Sequence, residues 1–306
     1  MKSLMRVLVG GALLSLAVAC GSEKTPADAP AGEDLEAGSE ASVSPGPSSS
    51  IAGGTEARIP ISVVIEAVME SAGTPPEERA ELGVLLAGYV AVLEARLGAG
   101  ASENPQAMAY REQAMQALRE GDLEEVERAL ERAVESERNA AIGDATEARL
   151  QAASETLEQL ALVSLLGLDY EGAVARYYEA AEVLPPDADL SRANVLIELG
   201  AMQLRAEQSE AARDPFEEAL RLRKRRLGNL HPEVAAGFVQ LGDAYQASGA
   251  LDRAETLYQR ALDIHGSAGS IDSENAAEAK EKLIGVYRLQ GKDTDADALA
   301  GMSGNV

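Results

Sequence analysis

The sequence predicts an all-α protein: a right-handed solenoid of antiparallel helix pairs behind a disordered N-terminal tether. Three observations carry this. Small and large residues recur at a 42-residue step. Leu199, Gly200, Ala212, Phe216, Ala219 and Leu220 return as Leu241, Gly242, Ala254, Tyr258, Ala261 and Leu262, and Leu283, Tyr287, Gly291 and Ala296 follow Leu241, Tyr245, Gly249 and Ala254 at the same interval. A fixed period of this size marks stacked units that cannot bury their apolar faces alone. The composition, 46% hydrophobic but only 3% aromatic, suits helices packed through small side chains. Residues 21 to 57 are rich in Ala, Gly, Ser, Pro and Glu and hold almost no large apolar residue, so they cannot bury enough surface to offset their ordering entropy.

From the N-terminus, Lys2 and Arg6 precede an apolar run over residues 7–19 that is too short to span a bilayer, which needs about 20 residues. Charge, a short apolar run and small residues before a cut site make an export signal. The site reads Leu16-Ala17-Val18-Ala19-Cys20 and resembles a bacterial lipoprotein signal, departing from it at Ala17, where leucine is commonest. That resemblance implies removal of residues 1–19, lipid on Cys20 and, with no aspartate beside Cys20, the outer membrane. Ordinary cleavage after Ala19 is the alternative. Cys20 is the only cysteine, so no internal disulfide competes for it. Residues 20–57 then form a lipidated linker reaching roughly 30–35 Å as a flexible chain.

Residues 58–104 read as a helical pair capping the first repeat. The first helix covers 61–71, although Ile61, Val63, Val64 and Ile65 leave a short strand open. Thr74-Pro75-Pro76-Glu77 starts the second, whose Leu82, Leu85, Leu86, Tyr89, Leu93 and Leu97 follow helical spacing up to Gly98. Asn104-Pro105 opens the next helix, which ends at Gly121. Asp122 and Glu125 form a capping box for a helix over 123–138, and another long helix covers 144–166. Pro215 falls where a helix interior is expected, six residues after a candidate cap at Ser209. It implies a kink or a restart with Asp214 as the cap.

The repeated slots resemble the tetratricopeptide repeat in the 42-residue form of kinesin light chain. The best copy reads Leu241-Gly242-Asp243-Ala244-Tyr245, Gly249, then Ala254 to Leu262, with Leu227-Gly228 and His231-Pro232 as the connector. Gly242 and Ala254 let two helices approach, Ala261 lets the next unit dock, and Gly249 suits a left-handed turn. Leu160, Ala161, Ala173, Tyr177 and Ala180 fit an earlier copy; Gly121, Val126, Leu130 and Ala133 fit a weaker one. The repeats cover roughly 105–305.

In this family the first helix of each pair lines a concave face. Carried over by slot, the resemblance implies a partner-binding groove of Glu155 and Glu158, then Asn194, Ile197 and Arg205, then Val239, Asp243 and Gln246, then Glu281 and Arg288. The kinesin-light-chain form has paired asparagines there; Ile197-Glu198 and Val239-Gln240 replace them, which argues against an asparagine-clamped peptide. Arg221, Arg223, Lys224, Arg225 and Arg226 crowd into six positions of an acidic chain. They make either a basic patch for an acidic partner or a helix C-terminus whose cations complement its dipole.

The net charge is −24, which repels nucleic acid and anionic lipid, so membrane contact is expected through the N-terminal lipid only. His231 and His265 lack ligand-spaced neighbours, and no phosphate loop, nucleophile elbow or EF-hand is present. No metal, cofactor or catalytic residue is expected. The favoured function is an envelope-anchored scaffold for a protein or peptide partner; the alternative is an exported enzyme or an accessory subunit of one.

Overall fold

The computed structural model describes residues 61–99, 102–143, 146–185, 187–270 and 273–301. The expected leader, Cys20 and the expected linker fall within residues 1–60, outside the described residues. Among these residues the protein is entirely helical: α1 (Ile61–Ser71), α2 (Pro76–Ala99), α3 (Pro105–Glu120), α4 (Leu123–Gly143), α5 (Glu147–Leu166), α6 (Tyr170–Val183), α7 (Asp189–Arg205), α8 (Arg213–Leu227), α9 (Pro232–Ala247), α10 (Leu251–Ser267), α11 (Glu274–Leu289) and α12 (Asp293–Gly301). From α3 onward the helices form five antiparallel pairs, each packed within itself and against the next. First helices also touch one another, α7 with α9 and α9 with α11, which places them on the inner side of the curved stack.

The helix starts follow from local chemistry. Asn104 accepts from the Gln106 and Ala107 amides at 3.1 and 3.4 Å, Asp122 from Glu125 at 2.9 Å, and His231 Nδ1 from Glu233 at 3.2 Å. Each side chain satisfies a donor that the first turn leaves free. The strand alternative for 61–71 is not realised. Helix α4 runs five residues past the expected Arg138, because nothing in its sequence breaks it before Gly143, and Thr146 caps α5. Pro215 produces neither a kink nor a cap at Asp214. The chain turns over residues 209–212 and α8 begins at Arg213, so Pro215 falls in a first turn, where its missing N–H has no intrahelical acceptor.

The repeat depends on two close approaches. A Cβ on Gly200 would stand 2.7 Å from Phe216 Cε1, and one on Gly242 would stand 2.6 Å from Tyr258 Cε1. Each aromatic ring therefore packs against bare backbone, and Ala212, Ala219, Ala254 and Ala261 are fully or almost fully buried around it. The core is continuous from Ile65 to Val286.

The turn inside each pair has one backbone solution. Gly249 (φ +78°) and Gly291 (φ +73°) are left-handed, and the next residue donates to the carbonyl five back: Ala250 to Tyr245 and Lys292 to Tyr287, both at 2.8 Å. Glu207 (φ +61°) and Leu168 (φ +59°) occupy the same slot without being glycine. Residues with a Cβ are strained there by about 1–2 kcal/mol. Glu207→Gly should therefore raise stability by about 0.5–1 kcal/mol after allowing for the freer unfolded chain. Chemical denaturation of the two proteins checks this; an unchanged or lower midpoint contradicts it.

Candidate partner-binding groove

The ten groove positions expected from the sequence separate into four groups. Ile197 and Val239 are buried, 6% and 4% exposed, within the core. Contacts between successive first helices cover that aliphatic side, so neither residue presents a surface to a ligand.

A second group faces the inner side and is already engaged within the chain. Asp243 accepts from Lys282 Nζ at 2.9 and 3.0 Å and from the Tyr258 hydroxyl at 2.6 Å, and Gln246 Oε1 lies 2.9 Å from the same hydroxyl. Asp243 thus ties α9 to α10 and α11. Burial and the Asp243 carboxylate push the Tyr258 pKa well above the phenol range, so the ring remains a donor. Asn194 accepts from Arg223 Nη2 at 3.1 Å, and Glu155 from Gln151 at 3.1 Å. Glu281 and Arg288, both on α11, form the third group and are exposed.

Glu158 and Arg205 meet something the sequence reading placed elsewhere. Helix α2 touches α3, as a cap on the first repeat would, but it also lies along α5 on the inner side. Its Leu86, Tyr89, Leu93 and Leu97 are buried. Arg96 Nη1 bonds Glu158 Oε2 at 2.7 Å, Gln159 donates to the Arg96 carbonyl at 3.3 Å, and the Arg205 guanidinium stands 6.0 Å from the Tyr89 ring centroid. The inner face of α5 is therefore occupied by the chain's own helix. Alone among the described helices, α2 is long and apolar enough to cross a membrane; its apolar stripe is spent on this contact.

The contact is electrostatically costly. Burial raises the Glu158 pKa although Arg96 pulls it down, while the same pair holds the Arg96 guanidinium charged despite its own burial. The two partners shift in opposite senses for stability. The carboxylate carries the cost because it is the more enclosed, 13% exposed against 26% for Arg96. Burial likewise raises Glu198, against the fields of Arg96, Arg205 and Arg223, and lifts the Tyr89 phenol to about 12. Arg96, Tyr89 and Glu198 were not expected as inner-face contacts, although Tyr89 stood in the apolar stripe and Glu198 in an asparagine slot. The available signal is Arg96, the one cation in the last turn of a largely apolar helix.

The basic run is bound up internally. Arg223, 4% exposed, donates to the Glu233 carbonyl at 3.2 Å and to Asn194. Arg225 holds Asp189 with two hydrogen bonds, one at 2.9 Å, and Arg226 lies 4.0 Å from the same carboxylate. Lys224 sits 4.2 Å over the Phe238 ring and Arg221 pairs with Glu218 at 3.6 Å. These contacts join the end of α8 to α7 and α9, while the Arg221, Arg225 and Arg226 side chains stay more than half exposed. An open polar cleft of about 460 Å³, lined by Asn104, Tyr110, Arg132, Ser136 and Asn139 among others, shares no residue with the groove.

The stacked helix pairs are the tetratricopeptide-repeat fold, and residues 191–267 match the tetratricopeptide repeat family. The small glutamine-rich tetratricopeptide repeat-containing protein 2 of Saccharomyces cerevisiae is 29% identical over 164 residues, 51% of this chain and 44% of that protein. The chain thus spans less than half the length of this curated relative. Among solved structures, BtubC (BKLC) from P. vanneervenii is similar with a TM-score of 0.50 at 18% identity, covering 80% of this chain and 91% of that one. The nearly identical TPR-like repeats of a kinesin light chain from Podosopora anserina give 0.50 at 19% identity, covering 65% and 94%. At these identities the likeness concerns the fold.

A raised carboxyl pKa makes the folded state bind the proton more tightly than the unfolded chain, where glutamate titrates near 4.3. Ionised Glu198 therefore lowers stability at neutral pH, and the deficit disappears as pH falls through its folded pKa. Glu198→Gln should be more stable than wild type at pH 7, with the gap narrowing as pH falls toward the unfolded value of about 4.3. Denaturant midpoints at fixed ionic strength check this; a gap independent of pH contradicts it.

Proposed function

We propose that the chain is a non-catalytic protein–protein interaction scaffold, lipid-anchored through Cys20 in the bacterial cell envelope at the outer membrane, that takes a peptide or partner helix on its concave face. The observation carrying this reading is α2 itself: the inner side of the stack accommodates a helix, with an apolar stripe against α5 and a cation on Glu158. Beyond α2, the inner side continues over α9 and α11, where Glu281 and Arg288 are exposed. Stacked repeats generally present such extended concave surfaces to protein partners. The export signal and the lone cysteine support the anchor, and the acidic surface excludes nucleic acid as the ligand.

A photo-crosslinking residue at position 288, in protein expressed with its full leader, tests anchor and groove together. The protein should fractionate with membranes and form a discrete adduct with a second polypeptide. The same residue at position 178, on the exposed face of outer helix α6, should not. With Cys20→Ser the protein should leave the membrane fraction. Adducts formed equally at 178 and 288 would remove the groove reading, and Cys20→Ser remaining membrane-bound would remove the lipid anchor.

A further inference from the structure

Helix α2 meets the groove as a bound ligand would, and it fits incompletely. Its stripe is complete: Leu86, Tyr89, Leu93 and Leu97, three or four residues apart, are all buried. Its polar fit is not. The Tyr89 hydroxyl and Gln159 Oε1 are buried at this contact without a protein hydrogen bond. Such groups weaken an interface, because each has given up water for nothing. Charge is also mismatched. Glu158 and Glu198 lie beside Arg96, the one cation that α2 brings to them, and of these two carboxylates Arg205 and Arg223 of the stack act on Glu198 alone.

We propose that α2 is a displaceable built-in ligand, and that the partner of this groove is a basic amphipathic helix that carries the same apolar stripe and competes with α2 for α5 and α7. This rests on the reading that the concave face takes a protein partner. A partner helix with a second cation beside the one in the Arg96 position would neutralise more of the carboxylate field than α2 does. A donor opposite Gln159 would satisfy an atom that α2 leaves bare. The tethered α2 has the advantage of high effective concentration, on the order of millimolar for a short connection, so only a better-matched helix displaces it.

The probe is a fluorescein-labelled synthetic peptide of residues 74–99, titrated by anisotropy into the full chain. Wild type should bind it weakly, because α2 already fills the site. Leu93→Glu removes a fully buried anchor of α2 and should bind the peptide at least tenfold more tightly. Should Leu93→Glu not fold, as judged by circular dichroism, Arg96→Glu opens the same contact from the partly buried salt bridge. The salt bridge supplies a second arm. A peptide carrying Arg96→Glu should lose at least tenfold on the opened chain and recover when that chain also carries Glu158→Arg. The affinity difference between the unmodified and Arg96→Glu peptides should shrink as sodium chloride rises from 50 to 500 mM. Equal binding to wild-type and opened chains, absence of charge-swap recovery, or a salt-independent difference between the two peptides would each overturn the proposal. If any of these occurs while the position-288 adduct persists, the fault lies with α2 as a displaceable ligand; loss of that adduct as well would remove the groove reading itself.

Discussion

Everything in the solenoid depends on how closely two helices of a pair can approach. Phe216 and Tyr258 lie where any side chain on Gly200 or Gly242 would collide with them. A ring against bare backbone fixes the separation and rotation of the pair. That geometry sets which side of the first helix turns inward, and so which residues line the groove. The Tyr258 hydroxyl extends the constraint outward: it bonds Asp243, and Asp243 holds Lys282 of the next pair. One aromatic residue thus fixes its own pair and helps set the pitch to the next.

These slots were legible because the spacing constrains residue size directly. The 42-residue recurrence located Gly200, Gly242, Ala254 and Tyr258 without reference to any fold. Caps at Asn104, Asp122 and His231 were equally readable, since each is a short-range hydrogen bond. The connection over 206–212 was not, because Ala212 starts α8 without a side-chain cap and its left-handed residue is Glu207, not glycine. There, tertiary packing holds a backbone that the local sequence does not favour.

The groove was harder to read, for a physical reason. Slot arithmetic assigns a helical face but not what lies against it. Ile197 and Val239 occupy groove slots yet are covered by neighbouring first helices. Asp243 and Gln246 face inward but serve Tyr258. The basic run admitted both a patch and a helix-terminus reading, because charge is conspicuous in sequence whereas its acceptors Asp189, Asn194 and Glu233 are 29 to 36 residues away or across a turn. Helix α2 was recognised as a helix with the correct buried stripe, but a stripe does not say which surface it will meet. Its contact with α5 spans about 60 residues of sequence, and nothing periodic announces it.

The central claim is that part of the concave face is already filled by α2, held by apolar anchors and weakened by enclosed carboxylates. The anchors make the helix ordered in the free chain, while the unsatisfied polar groups make it the first inner element to yield. Amide hydrogen exchange on the isolated full chain tests this most directly. The account predicts that amides from Leu86 to Leu97 are protected, yet exchange faster than those of α5 and α7, and gain protection when Glu198 is replaced by glutamine. Unprotected α2 amides would show that the groove is empty, and protection equal to that of α5 would show that α2 is a permanent part of the core.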